Sequence, residues 1–472
     1  MQDQWMIDGE SEDHRSRRDM TEKSIARHVK GEMERQVTSS STSSAVFVCD
    51  GAWITAASIA QPSYLCCGLS NGSVCLLNTS NLSKIYLFEL SRDGRGPHKD
   101  KDRTDHGRTH GAASQQLVAV ATHALPATAA ASTSALQVLL CTTLDGAVCV
   151  CPMDMSSVLE RKKVSRSDMA RVKLYPAVSP GAVLHASVQF NAAGNRIVAM
   201  LAIAQEESSA QKSTLSTRYR IAVLTCTDAT VTLQSRYTSE GEWHTLAPPA
   251  ATGRVACPGA AVELCYCGWW SADTLVCVWS DSLIQLLLVP TMRVVGECRL
   301  LRHCAADAVT LAKVSRPSVA ETVEGHSKFG LVAVVLENNI AACFHVTVRY
   351  VGAADDREVK RHRGEALAVV SVVPTMQTYC TEDIPVRELH LARSFAWTVV
   401  LLLESGAIVF LDAETMRLSV HRAVNRLRAP DAARYEAGGL LTAPRHFFCL
   451  VSGRPFSAAV VEHNAAILLK AQ

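Results

Sequence analysis

YLCCGLSNGSVCLLN, residues Tyr64 to Asn78, is the stretch from which the fold can be read. It is an apolar run, a turn at Asn71-Gly72, and a second apolar run. Asn-Gly favours the positive φ angles of a tight hairpin, so the stretch reads as two antiparallel strands joined by a two-residue turn. The frame returns in VLLCTTLDGAVCVCP (Val138 to Pro152) and VVLLLESGAIVFLD (Val399 to Asp412). Looser copies are LVCVWSDSLIQLLL (275–288) and LVAVVLENNIAACF (331–344). Few stretches from residue 45 onward carry a sustained helical period, and one recurring supersecondary unit is the mark of a repeat architecture.

Leu65 to Asn78 resembles the WD40 frame L-x-x-G-x-x-D-G-x-V-x-L-W-D, with Leu77-Asn78 where that family has Trp-Asp. Cys151-Pro152 and Leu411-Asp412 stand in the same place elsewhere. HASVQFNAAGNRIVAM (His185 to Met200) is similar to the start of a repeat, and Asp412 to Arg417 and Pro290 to Arg293 to the turn leading into an outer strand. The resemblance implies an all-β fold: a single β-propeller of seven four-stranded blades. Inner-hairpin turns fall near residues 72, 146, 210, 282, 338, 405 and 453, which makes seven. Their spacing, about 48 to 74 residues, exceeds the roughly 40–45 of a compact repeat of this kind. No Trp-Asp pair occurs and no clear Gly-His starts a repeat, so the Asp–His–Ser/Thr–Trp hydrogen-bond network of the family is expected to be mostly absent.

A propeller closes when its last blade takes a strand from the other end of the chain, which leaves only short, protected sheet edges. Ala45 to Cys49 precedes the first repeat strand, Trp53 to Ile59, and is the expected outer strand of the last blade. Ala466 to Leu469 competes for that place.

The expected organisation is a charged N-terminal extension ending in a Ser/Thr linker (1–44), then a propeller (45–472) with polar loop insertions at 91–114, 154–172, 205–218 and 352–364. Within the extension, Ile25, Val29, Met33 and Val37 recur every four residues, and a helix over 20–36 puts them on one narrow stripe. Asp19 followed by Glu22 suits the start of such a helix. The functional reading is a docking helix for a partner protein. The blander one, which ranks ahead of it, is a tail or a helix lying on its own domain.

The chain is 48% hydrophobic, enough for a sizeable core, and its formal net charge of +2 gives no reason to expect nucleic acid or an anionic membrane as the main partner. Seventeen cysteines sit in apolar runs without a CxxC, as in Cys66-Cys67, Cys149-Val150-Cys151 and Cys265-Tyr266-Cys267. They read as small buried apolar residues, each i, i+2 pair on one strand face. The polar, acidic start MQDQWMIDGESEDHRSRRDM does not read as a signal peptide. A reducing compartment, cytoplasmic or nuclear, is expected. Residues 112–144 lack Asp, Glu, Lys and Arg, but His123, Pro126 and several glutamines make two strands and a loop the better reading than a membrane span.

No motif carries catalysis well. Gly68-Leu69-Ser70-Asn71-Gly72 matches G-x-S-x-G, yet a strand follows it where a nucleophile elbow needs a helix. His106 and His110 with Asp100, Asp102 and Asp105 lie in a glycine-rich segment that cannot pre-organise metal ligands. The basic clusters Arg161-Lys162-Lys163 and Lys360-Arg361-His362-Arg363 are offset by neighbouring acids and read as solvated loop charge. The glycine-rich phosphate loop and the Phe-Arg-Arg-Gly signature of phosphoinositide-binding propellers are missing from the sequence. No cofactor, metal or catalytic residue is expected.

Trp269 and Trp270 are adjacent and must face opposite sides of a strand, so one of them is a candidate anchor for a partner; packing of both between neighbouring blades is preferred. The leading expectation is a non-catalytic protein–protein interaction scaffold, a subunit of a larger assembly. The second is an enzyme or small-ligand propeller that uses polar groups at the central channel, with Glu263, His185, Glu388 and His390 as scattered candidates. The third is a nucleic-acid or membrane-surface binder using basic rim loops.

Overall fold

The computed structural model describes residues 44–47, 54–61, 64–78, 84–89, 117–124, 136–143, 148–154, 170–172, 183–191, 195–209, 212–226, 237–239, 244–246, 262–289, 291–300, 308–315, 318–322, 325–351, 367–375, 377–382, 384–393, 396–405, 407–423, 446–451, 457–462 and 465–470. Every element among them is a β-strand. The helix expected over 20–36, with Ile25, Val29, Met33 and Val37, lies outside them, as do the insertions 91–114 and 352–364.

The described strands form seven antiparallel sheets in chain order. After β1 (Ser44–Phe47), blade 1 runs β2 (Ile54–Gln61), β3 (Tyr64–Leu69), β4 (Ser73–Asn78), β5 (Lys84–Glu89). Blade 2 is β6 (Leu117–Ala124), β7 (Leu136–Thr143), β8 (Val148–Asp154), β9 (Ala170–Val172). Blade 3 is β10 (Val183–Phe190), β11 (Arg196–Ser209), β12 (Lys212–Cys226), β13 (Tyr237–Ser239), with β14 (His244–Leu246) also on β12. Blade 4 is β15 (Leu264–Trp269), β16 (Thr274–Trp279), β17 (Leu283–Leu288), β18 (Arg293–Arg299).

Blade 5 has six strands. These are β19 (Val309–Val314), β20 (Ser318–Thr322), β21 (Gly325–Leu336), β22 (Ile340–Val351), β23 (Leu367–Pro374) and β24 (Tyr379–Cys380). Blade 6 is β25 (Val386–Arg393), β26 (Trp397–Leu403), β27 (Ala407–Asp412), β28 (Leu418–Ala423). Blade 7 is β29 (His446–Val451), β30 (Ser457–Glu462), β31 (Ala465–Lys470), completed by β1. Blades 3 and 5 thus exceed the expected four strands.

The first strands of successive sheets touch one another in turn, β2 to β6 to β10 to β15 to β19 to β25 to β29, and β29 returns to β2. They are the innermost strands, and their ring is the axis of a β-propeller. β1 pairs with β31, so the N-terminal strand is the outer strand of blade 7 and the 466–469 competitor is its neighbour. The turn near 453 accordingly joins β29 to β30, the first and second strands, and the inner hairpin of that blade is β30–β31. In the sequence Gly453 and Pro455 signal a turn either way, and only the borrowed outer strand shows which hairpin is which.

Residues 205–218, expected as a loop insertion, instead lengthen a hairpin: β11 and β12 stay paired out to Ser209↔Lys212. Thr214, Leu215 and Thr217 suit a strand, and the ladder satisfies backbone groups that a loop leaves to water. The insertion 154–172 likewise begins in β8 and ends in β9.

Strands within a blade are buried on both faces. β16 is buried along its whole length, whereas the outer strand β18 alternates with exposed positions. Sheet parity divides β16 between two cores: Leu275, Cys277 and Trp279 pack towards blade 3, Val276 and Val278 towards blade 5. Blade 5 is shared the same way, with Val332 and Val334 towards blade 4 and Leu331, Ala333 and Val335 towards blade 6. Ring assembly therefore explains why the sequence shows continuous apolar runs where a one-sided sheet shows alternation.

The inner hairpins repeat one turn. Gly72, Ser282 and Asn339 have φ of 83°, 66° and 61°. Their N–H groups donate to Leu69 O, Trp279 O and Leu336 O at 3.0, 3.0 and 2.9 Å. Just before them, the side chains of Asn71, Asp281 and Asn338 accept from the backbone N–H two residues on, at 3.0, 3.2 and 3.2 Å. Only one residue per turn is left-handed, so these are type I turns followed by a bulge residue, not the two-residue turn that Asn-Gly suggested. The turns into β18 and β28 match too: Met292 and Met416, both in Thr-Met-Arg, have φ of 54° and 52°.

Candidate functional site

Blade 5 leaves part of one face uncovered. β21 and β22 have 12 residues each, against 6 in β16 and 6 in β17. On the face towards blade 6, Leu331, Ala333, Val335, Ala341 and Cys343 are buried. Continuing with the same parity, β21 presents Phe329, β22 His345, Thr347 and Arg349, and β23 Val369, Ser371 and Val373. Phe329, Val369 and Val373 are 37%, 47% and 57% exposed. His345, Arg349 and Ser371 are exposed as well. Pairing aligns the side chains in rows: Leu331–His345–Val373 and Phe329–Thr347–Ser371, with Arg349 beside Val369. The opposite face of β23 meets β18, where Gly296 has Ala368 O and Val370 against it. The arrangement is an apolar patch flanked by basic groups, on three strands joined by backbone ladders with β23 at the sheet edge.

A second group of polar residues lies on the innermost strands. Glu388 and His390 are two apart on β25 and joined, Nε2 to Oε2, at 3.0 Å. Leu389 between them is buried against blade 5. Lys313 on β19 is half-buried, with its ammonium 5.8 Å from the centre of the Tyr266 ring on β15. Burial holds the Lys313 ammonium below its ordinary pKa, and the Glu388 carboxylate works against that. Burial also lowers His390; hydrogen bonding to Glu388 raises it, and Lys313 lowers it.

Of the four channel candidates, the structure brings Glu388 and His390 together. Glu263 sits exposed ahead of β15, where its charge acts on Tyr219 and Cys265. The side chain of His185 lies outside the described residues. Lys313 and Tyr266 were not among the candidates, although a lysine inside the apolar strand VTLAKV is a visible signal.

Trp269 and Trp270 are 8% and 1% exposed and face opposite sides. Trp269 packs towards blade 3 and donates its Nε1–H to Gln189 O at 3.2 Å. Trp270 packs towards blade 5, against Gly330. Both rings are occupied between blades, so neither serves as a surface anchor. Cys265 and Cys267 do not share a face: a bulge between Leu264 and Tyr266 sends Cys265 towards blade 5 and Cys267 towards blade 3. Ser70 and the G-x-S-x-G match lie in the β3–β4 hairpin turn. His106 and His110 lie outside the described residues, among which no group of three or more His, Cys, Asp or Glu is placed to hold a metal ion. No described helix is long and apolar enough to cross a membrane.

No family model matches the chain, and no curated protein matches it. Similar solved structures include the Myceliophteria thermophila Cps50 (Swd1) β-propeller domain, at 10% identity and TM-score 0.48, covering 91% of this chain and 100% of that one. Raptor from Chaetomium thermophilum is similar at 8% identity and TM-score 0.46 over 91% of this chain, which spans 29% of Raptor's length. The fold rests on the chain's own sheet order, its ring of innermost strands and its borrowed outer strand: it is a β-propeller.

Proposed function

We propose that this chain is a non-catalytic protein-interaction scaffold, a subunit of a larger intracellular assembly, and that the uncovered face of blade 5 is its principal contact surface. The observation that carries the reading is the row of Phe329, Val369 and Val373 beside His345 and Arg349, on a sheet that extends past blade 6. Exposed apolar side chains rimmed by polar ones mark protein contact sites. The basic rim suits a partner that presents apolar side chains flanked by carboxylates. A sheet face is already rigid, so docking on it loses little conformational entropy.

The test is native purification of the tagged chain at moderate salt, beside a Val369→Asp/Val373→Asp variant. Both positions are exposed, so the variant should melt within a degree or two of the native chain. Proteins recovered in stoichiometric amount with the native chain and lost from the variant support the reading. A clean monomer of 50.9 kDa, or partners retained by the folded variant, overturns it.

A further inference from the structure

Strand register fixes the charge of the uncovered face of blade 5. On β20 to β23, the positions that share a face with Phe329, His345 and Val369 include Arg349 and no Asp or Glu. Glu321, the acid of β20, pairs with His326 and so has the parity of the opposite face. The connecting residues 352–366 hold four Asp or Glu and four Lys or Arg, which adds no net charge. The face is therefore apolar at Phe329, Val369 and Val373, and its charged groups are of positive sign.

One stretch of the chain has the complementary make-up. Residues 1–13, MQDQWMIDGESED, hold the carboxylates of Asp3, Asp8, Glu10, Glu12 and Asp13, no Lys or Arg, and the apolar trio Trp5-Met6-Ile7 with acids on both sides. The stretches 14–43, 90–116, 155–169 and 424–445, which also lie outside the described residues, each hold more Lys and Arg than Asp and Glu. The stripe Ile25, Val29, Met33 and Val37 falls in the first of these and has the wrong sign for this face.

The trio can reach the face. Residues 8–43, 36 in number, join Ile7 to β1 on blade 7. Fully extended they span up to roughly 120 Å, and wound as a helix about 50 Å. Four strands about 4.8 Å apart make a blade, so a ring of such blades is roughly 50 Å across. Whatever its conformation, the connection does not hold the trio away from blade 5.

We propose that Trp5-Met6-Ile7 docks on the uncovered face of blade 5 of its own chain, with its apolar side chains against Phe329, Val369 and Val373 and its carboxylates towards Arg349 and His345. This rests on the reading of that face as a contact surface, and it adds a regulator: the tethered segment occupies the face until a partner of the same chemistry displaces it. Tethering supplies an effective concentration of about a millimolar, so a weak contact suffices. Tryptophan is the side chain best suited to anchor so small a motif.

The probe is a fluorescent peptide of residues 1–14, titrated by anisotropy into the full native chain and into the full chain carrying Trp5→Ala/Ile7→Ala. The vacated face is expected to bind it about tenfold more tightly than the native one, where the chain's own segment competes. Adding Val369→Asp/Val373→Asp, checked for unchanged thermal unfolding, is expected to abolish binding. A peptide with Asn or Gln at its five acidic positions is expected to bind several-fold more weakly at low salt.

No binding to the Trp5→Ala/Ile7→Ala chain at about 1 mM peptide overturns the proposal, and so do equal affinities for the two chains. Neither outcome needs a change in the propeller. Binding that survives in the folded four-site variant overturns the assignment to blade 5, and an amide-substituted peptide that binds as tightly overturns the charge pairing. Partner capture is a separate readout. Proteins lost from Val369→Asp/Val373→Asp without any peptide binding leave the contact surface standing and remove its regulator. Peptide binding without captured proteins supports the internal contact and overturns the subunit reading.

Discussion

Ala45 lies opposite Ile467 in an antiparallel pair, so the two ends of the chain share one sheet. Four residues of β1 complete the outer edge of blade 7, and β2 follows directly in blade 1. Deleting residues 1–48 bares β31 and unlocks the ring. The loss is expected to be on the order of 2–4 kcal/mol. It is read as a lower urea midpoint for the whole chain, and a midpoint equal to that of the full chain would show that closure adds nothing.

Trp279 is fully buried, and its Nε1–H donates to Gln285 Oε1 at 2.9 Å. Gln285 in turn reaches Glu297 Oε2 at 3.5 Å, and Tyr219 from blade 3 meets the indole edge-on, centroids 6.0 Å apart at 87°. Trp279→Phe leaves a cavity and an unanswered amide, expected to cost about 2–4 kcal/mol. Adding Gln285→Leu removes the orphaned group and should return roughly 1 kcal/mol, seen as non-additivity in a double-mutant cycle of thermal unfolding.

Ser282 occupies the left-handed turn position that Gly72 fills in blade 1, with φ of 66° and 83°. A side chain is strained there and a glycine is not. Ser282→Gly should therefore stabilise the chain by roughly 0.5 kcal/mol, and Gly72→Ala should destabilise it by about 1 kcal/mol. Denaturant midpoints moving in the same direction for both variants would contradict the shared-turn account.

Cys265, Cys267, Cys277, Cys343 and Cys380 are not in disulfide bonds. Burial pushes the thiols of Cys265 and Cys343 up to about 12 from an ordinary 9.0. Hydrogen bonding with Cys267, then burial, raises Cys277 well above its ordinary value. These groups stay protonated at pH 8 and lack the reactive thiolate. Iodoacetamide with peptide mapping should modify the exposed Cys380 first and the three raised thiols only after unfolding. The sign for stability follows: the folded state holds these protons while the unfolded state releases them above about pH 9, so stability falls as pH rises from there towards 12. A urea midpoint flat from pH 8 to 11 would refute this.

The hairpin unit was legible because it is local. Asn71-Gly72 between apolar runs, and its copies at 146, 282, 338 and 405, needed no tertiary information, since turn chemistry and strand propensity act within about fifteen residues. Ala45 to Cys49 was legible as a strand without a hairpin partner, which pointed to closure. The opposite faces of Trp269 and Trp270 followed from strand geometry alone.

What the sequence by itself determined was an all-β repeat with seven hairpins and a chain end free to close the ring. The tertiary structure alone decided the rest, because the rest depends on which residues become neighbours across blades. Residues 205–218 read as polar loop, yet pairing between β11 and β12 made them strand. Cys265 and Cys267 were placed on one face until a bulge divided them. Phe329, Val369 and Val373 look like any core residues in sequence; they are exposed because β21 and β22 outrun blade 6. Lys313 and Glu388 are far apart in the chain, and only the packing of blade 5 against blade 6 sets one charge within the field of the other.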